Sequence, residues 1–273
     1  MGVYSKIVSV PKQIDTIHTF IGGTKTDITS GWTFVNGVRK QVFPSTEYYT
    51  EVYSSTTAGS YSESLSWGKY KIVISGGGGS GSACIRESTQ QETTTLQGGF
   101  AAQEKTVFVE VGNDETKTIS GTIGAGGGGA YVYMSASAAW GDTTTVTSSY
   151  GAGGAGYQNG NTPGNKYAVS RPYARAWGAV GGSGGGSTSV LVDSVLLDVA
   201  AGGNGGTVTI NDSGYRTSAG GAGGNGGTTS GTGSAGGARG YWFAGSSHSA
   251  GSVTSTPGTD GYVRIYKSNI YPA

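Results

Sequence analysis

The chain has 273 residues, of which 35% are hydrophobic and 12% charged, with a formal net charge of +1. Against the roughly 45–50% apolar and about 25% charged residues of ordinary domains, this implies a thin hydrophobic core and gives no electrostatic case for nucleic acid or an anionic membrane as partner. The single Cys84 excludes an internal disulfide framework and a cysteine-based zinc site, and an aromatic content of 10% argues against disorder.

The first residues, MGVYSKIVSVPK, show no positively charged head followed by a long apolar run, so no secretory signal is expected. No stretch approaches the roughly 18 consecutive apolar residues of a membrane-spanning helix. Residues 1–45 are poor in glycine and read as a separate small β module, with β-prone runs at 3–10 and 14–21 broken at Pro11. Within it, Trp32-Thr33-Phe34-Val35 and Val38-Arg39-Lys40-Gln41-Val42-Phe43 flank Asn36-Gly37, the residue pair that supplies the positive φ angles of a type I′ turn. The predicted register sets Val35 opposite Val38 and Phe34 opposite Arg39. Trp32, Phe34 and Arg39 then share a face suited to docking on another protein.

Residues 46–60 read as a linker, and residues 61–273 as the main body. Alternating or continuous apolar runs predict strands at 69–75, 105–111, 117–123, 143–147, 189–192, 195–199, 207–210 and 261–267. Turn residues stand at Asn113-Asp114 and Asp193-Ser194. With no amphipathic helix in sight, these eight strands predict an all-β sandwich or jelly roll.

Between the strands lie glycine runs at 76–81, 124–129, 151–156, 181–186 and 202–206, and the longest, residues 220–240, reads GGAGGNGGTTSGTGSAGGARG. Its period of three fits neither a helix at 3.6 nor a strand at 2, but it matches a left-handed extended helix with three residues per turn. Such helices form no internal hydrogen bonds and must pair with one another. Six prolines in the whole chain exclude collagen. A flexible linker fits poorly as well, because the runs alternate with strands instead of joining two blocks.

The order of these segments carries a family resemblance. Four glycines follow Tyr70-Lys71-Ile72-Val73-Ile74-Ser75, Val107-Phe108-Val109-Glu110-Val111-Gly112 comes next, and Thr122-Ile123-Gly124-Ala125 precedes four more glycines. Then come Leu196-Leu197-Asp198-Val199-Ala200-Ala201-Gly202-Gly203-Asn204 and a closing Gly261-Tyr262-Val263-Arg264-Ile265. Residues 61–267 resemble the glycine-rich domain of phage tail proteins, and the Leu-Leu-X-Val-Ala-Ala-Gly-Gly segment is similar to one in anaplastic-lymphoma-type receptor kinases. The glycine runs are also similar to those of the adhesin that caps T-even long tail fibres. The resemblance implies a TNF-like jelly roll from which polyglycine II helices project as a bundle, and by analogy a homotrimer.

Catalytic motifs are weak. Gly76, Gly78 and Gly81 satisfy G-x-G-x-x-G, but the following SACIRESTQQETTT has no apolar periodicity for the helix that a dinucleotide site requires. His18 and His248, the two histidines, fall in different modules. Asp142, Asp193, Asp198, Asp212 and Asp260 are the acids after residue 120, mostly at expected turns or strand ends, and they offer no evident glycosidase pair. No enzyme activity, cofactor or metal is expected.

Aromatic residues outside the expected core strands are more informative. Tyr131, Tyr133 and Trp140, then Tyr157, then Tyr167, Arg171, Tyr173, Arg175 and Trp177, and finally Tyr241, Trp242 and Phe243 interrupt the glycine runs. If glycine helices stack side by side, their connections cluster at the bundle ends, and loops with Tyr, Trp and Arg suit recognition of a sugar or protein. The expectation is a bacteriophage virion protein. Residues 1–45 would dock on other tail or head proteins, and the loops would bind a bacterial surface receptor. A structural head fibre or decoration protein is the alternative, and an ice-binding protein a more distant one.

Overall fold

The computed structural model describes residues 17–21, 24–28, 31–35, 38–43, 47–87, 94–135, 145–163, 166–169, 177–210, 216–218, 234, 235, 237, 239, 243–245 and 251–270. Secondary structure among them is β throughout, in 22 strands. The first two, β1 (Ile17–Ile21) and β2 (Thr24–Ile28), form an antiparallel pair. β3 (Gly31–Val35) and β4 (Val38–Phe43) form the expected hairpin, with Val35 opposite Val38, Phe34 opposite Arg39 and Trp32 opposite Gln41.

Eight strands build a two-sheet sandwich. One sheet has the order β10 (Glu104–Val111), β7 (Gly68–Ser75), β22 (Tyr262–Ser268), β5 (Tyr49–Ser55). The other has the order β17 (Val195–Ala200), β16 (Thr188–Val192), β11 (Lys117–Ile123), β6 (Gly59–Leu65). Every pairing within the two sheets is antiparallel. Alternate residues of both sheets meet in one core: Tyr70, Ile72 and Ile74 from β7, Val109 and Val111 from β10, Ile119 and Ile123 from β11, Val263 and Ile265 from β22. Each fully buried isoleucine contributes about 1.5–3 kcal/mol over leaving it exposed.

The sandwich expected from the strand patterns is therefore present, with two corrections. Residues 49–55, inside the stretch read as linker, are β5 and pair with the last strand along its length. Of the strands expected for the sandwich, those near 143–147 and 207–210 lie elsewhere, and β5 and β6 take their places. Numbered along the chain, the sandwich strands order as 4-3-8-1 and 7-6-5-2, with strands 3 and 4 adjacent in one sheet and 5, 6 and 7 adjacent in the other. A jelly roll's two Greek keys would pass between the sheets more often, and in that respect the connectivity differs from the one implied by resemblance.

Two turns follow directly from local chemistry. Asp193 and Ser194 have φ of 48° and 70°, the positive values a two-residue hairpin needs between Val192 and Val195. Asp114, φ 62°, turns the chain between β10 and β11. Asp is among the few non-glycine residues that tolerate this conformation.

Above the sandwich, the glycine runs lie side by side and bond through their backbones. The central run, 76–82, donates in strict rotation to three neighbours. Gly76, Gly79 and Ser82 N–H groups reach Gln103, Phe100 and Gln97 oxygens; Gly77 and Ser80 reach Gly186 and Ser183; Gly78 and Gly81 reach Thr259 and Thr256. Three further segments donate back, from Gly203 and Gly206, from Gly127 and from Gly237. A strand directs its bonds to two neighbours in one plane. Here the donors return to the same neighbour every third residue, so the run is enclosed by six.

This hydrogen-bond density offsets the ordering entropy of so many glycines, about 1–2 kcal/mol per residue. Serines inside the array bond with it instead of interrupting it. Ser183 N–H donates to Ser80 Oγ (2.7 Å), the Ser183 hydroxyl donates to Gly151 O (2.5 Å), and the Ser255 hydroxyl donates to Gly81 O (2.6 Å). Of the long run at 220–240, only residues 234, 235, 237 and 239 are described, and Gly237 N–H bonds Gly79 O within the array.

Beyond the glycine array a second β layer begins. Residues 76–82 lead into β8 (Ala83–Glu87), 124–129 into β12 (Ala130–Met134) and 201–207 into β18 (Val208–Ile210). In the reverse direction, β9 (Thr94–Leu96), β15 (Trp177–Val180) and β21 (Gly251–Thr254) feed glycine segments that return to the sandwich. These six crossings of the array each have a sandwich strand at one end and an outer strand at the other. The outer layer has its own two cores, one around Ile85, Val132, Met134, Val146 and Val180, the other around Cys84, Leu96, Trp177 and Val208.

Candidate binding surface

The outer layer comprises three small sheets, of which β13 (Val146–Tyr150), β12 and β21 form one in that order. β12 reads Ala130-Tyr131-Val132-Tyr133-Met134, and strict alternation sends the small and apolar residues inward. Ala130, Val132 and Met134 are fully buried, whereas Tyr131 and Tyr133 are 39% and 38% exposed. On the flanking strands the same alternation buries Val146 and Val253. It exposes Thr147, Ser149, Ser252 and Thr254.

Register aligns these outward residues in two rows. Tyr131 stands between Ser149 and Thr254, and Tyr133 between Thr147 and Ser252. Adjacent positions across the sheet are about 4.8 Å apart and the two rows about 6.8 Å apart, so the six side chains form a small flat grid. Both tyrosines sit on the central strand, and all six side chains carry a hydroxyl and neither an acidic nor a basic group.

The remaining outer sheets have the orders β14 (Lys166–Val169), β15, β8, β20 (Phe243–Gly245) and β19 (Arg216–Ser218), β18, β9. They place several predicted site residues differently. Trp177 is 6% exposed and belongs to a core, where its ring meets Tyr167 at 5.9 Å between centroids. It is therefore a packing residue and not an exposed loop anchor. Tyr167 is half-buried against the same cluster. Cys84 is fully buried beside them, as its type suggests.

Tyr157 is 46% exposed but at the opposite end of the array. Its N–H donates to Ser187 O, next to β16 of the sandwich, where the segment 151–156 turns and runs back. Tyr131 and Tyr133 are thus brought together, while Tyr157 is separated from them by the length of the glycine array. Phe243 lies in β20, which pairs in parallel with β8. Trp140, Arg171, Tyr173, Arg175, Tyr241 and Trp242 lie outside the described residues. The proposed docking residues Trp32, Phe34 and Arg39 are placed by register alone, on the β3–β4 hairpin.

Thr147, Ser149, Ser252 and Thr254 were not distinguishable beforehand from the many serines and threonines of the chain. Only their alternation with Val146 and Val253, read against β12, marks them. Tyr150, 38% exposed, stands at the end of β13 with Lys166 Nζ 5.8 Å from its ring centroid.

Among the described residues no three His, Cys, Asp or Glu side chains converge as metal ligands. Asp198 is occupied by Lys105, at 2.6 Å, in an ion pair that links the edges of the two sandwich sheets. Asp260 accepts hydrogen bonds from the N–H groups of Gly126 and Ala58. Asp193 accepts one from Thr118 N–H. These three carboxylates serve backbone and sheet contacts in the folded chain. Compared with known proteins, the chain matches no protein-family model and no curated protein.

Proposed function

We propose that the chain is a bacteriophage virion protein, carried on the tail as a fibre or tip adhesin, that recognises a receptor on the bacterial surface without covalent chemistry. The observation that supports this reading is the polarity of the molecule. The first and last sandwich strands, β5 and β22, are paired neighbours at one end, and the glycine array holds a second β layer away from them. An adhesin needs that separation: a docking end, a stiff spacer and a displayed end. The threefold rotation of backbone donors around the enclosed central run supports reading the array as a bundle of polyglycine II helices. Residues 1–45 would then join the sandwich end to other virion proteins.

The test is binding of the fluorescently labelled full chain to candidate host bacteria, beside a variant carrying Tyr173→Ala and Arg175→Ala. Saturable binding is the expected result, with loss in the variant placing the contact in the outer loops. Absence of saturable binding to any host that the parent phage infects would refute the adhesin reading and favour a structural fibre or decoration protein.

A further inference from the structure

We infer that the outward grid on β13, β12 and β21 is a contact surface for an uncharged carbohydrate, an inference that rests on the adhesin reading and names the chemistry of its ligand. Four properties of the grid point the same way. Its two rings, Tyr131 and Tyr133, sit side by side on one central strand and are both more than a third exposed, although their neighbours on the same strand are fully buried. A pyranose presents a face of C–H groups that packs against such rings, and each phenol adds a polar tip at the edge.

Each ring is flanked on both sides by a hydroxyl: Ser149 and Thr254 beside Tyr131, Thr147 and Ser252 beside Tyr133. A hydroxyl both donates and accepts, so it can pair with sugar hydroxyls of either orientation. No side chain in the grid is charged, which disfavours sulfated, phosphorylated or carboxylated glycans: their charge would lose hydration and find no partner. A protein partner would call for apolar or arginine anchors in a desolvated pocket, whereas these rings lie on an open sheet bordered by hydroxyls.

The surface is also rigid. β12 is held on both sides by antiparallel ladders, and its inner residues are locked into a core, so the spacing of the rings is fixed before a ligand arrives. Preorganisation of this kind reduces the ordering cost of binding.

The experiment uses the full chain and a panel of neutral oligosaccharides of glucose, galactose and N-acetylglucosamine, with a sulfated glycan as the charged control, read by saturation-transfer NMR and titration calorimetry. A double variant, Tyr131→Ala with Tyr133→Ala, is compared with Tyr131→Phe with Tyr133→Phe and with Thr147→Val with Thr254→Val, each checked by circular dichroism for an intact fold. Binding of a neutral sugar, weakened about tenfold or more by the alanine pair and less by the phenylalanine pair, is the expected result. Sugar binding unchanged in the alanine pair would overturn the assignment of the site. So would a preference for the sulfated control, or binding to host cells that persists in the alanine pair with no neutral sugar bound. Sugar binding at the grid without binding to host cells would instead sustain this inference and refute the adhesin reading.

Discussion

Gly79 provides the sharpest test of how the glycine array is held. Its φ is not in the left-handed region, so alanine is conformationally acceptable there, and the glycine is required for space alone. A methyl at this position would stand 2.8 Å from Gly205 N and closer still to the carbonyl of Asn204. Backbone atoms cannot rotate away as a side chain can, so the 203–206 segment must move. Five backbone bonds depend on its position: Gly203 N–H to Gly77 O, Gly206 N–H to Ser80 O, Phe100 N–H to Asn204 O, Gly182 N–H to Gly206 O and Gly185 N–H to Gly203 O. Overpacking costs about 1–3 kcal/mol and each buried group left unpaired about 1–3 kcal/mol. The reduced entropy of the unfolded chain returns only about 0.4–1 kcal/mol. Gly79→Ala is therefore expected to destabilise the protein by about 3 kcal/mol or more, which lowers Tm by roughly 6–12 °C in a domain of this size. Gly98→Ala, whose methyl would meet Gly237 O at 3.2 Å and Arg239 N at 3.8 Å, is the matched control. Thermal unfolding followed by calorimetry decides the matter, and a Gly79→Ala protein that melts within 2 °C (about 0.5–1 kcal/mol) of the Gly98→Ala protein would refute the close-packed account.

Three other perturbations follow from the same structure. Thr188 joins the sandwich to the array by donating its hydroxyl to Ser75 O (2.6 Å) and accepting from Gly124 N–H (2.9 Å), both buried. Thr188→Val keeps the shape but strands these groups, so urea unfolding should show a loss of about 2–4 kcal/mol, and a loss under about 0.5 kcal/mol would contradict the assignment. Burial first, and then the hydrogen bond to Glu104, push the Tyr262 phenol up to about 12, and burial raises Tyr61 as well. The native state then retains protons that the unfolded chain releases near pH 10, so this stability is complete below pH 10 and declines as pH rises toward 12. Tyr61→Phe with Tyr262→Phe should flatten the decline in a series of melts, and an unchanged slope would show that other groups cause it. Finally, Val195, Leu196 and Leu197 are 70%, 44% and 47% exposed in succession on β17, an edge strand. Exposed apolar edges favour pairing with another copy, so sedimentation should detect self-association that Leu196→Lys reduces; a monomer in both proteins would count against it.

Much of the sandwich was legible because its determinants are local. β7 and β10 carry apolar runs and β11 isoleucines among threonines, and the hairpin at Asp193-Ser194 has the positive φ angles that its turn residues signal, whatever the chain does elsewhere. β12, β15 and β21 were missed as strands. They are short, and Ala, Gly, Ser and Thr in them blend into the surrounding composition. Their strand character depends on partners far away in sequence.

By itself the sequence determined the β class, the period of three in the glycine runs and the turns that reverse the chain, since each depends on backbone preferences of neighbouring residues. Tertiary structure alone decided which aromatic rings are displayed. Trp177 and Tyr133 are both bulky rings with apolar neighbours in sequence, Ala176 and Gly178 for the one and Val132 and Met134 for the other, yet Trp177 is buried against Tyr167 while Tyr133 stands in the open between Thr147 and Ser252. Tyr157 is exposed as well, but at the sandwich end, because the segment that carries it turns back through the array. Exposure of this kind is a property of which segment lies beside which, and in an array held by backbone bonds every glycine segment offers its neighbours nearly the same surface.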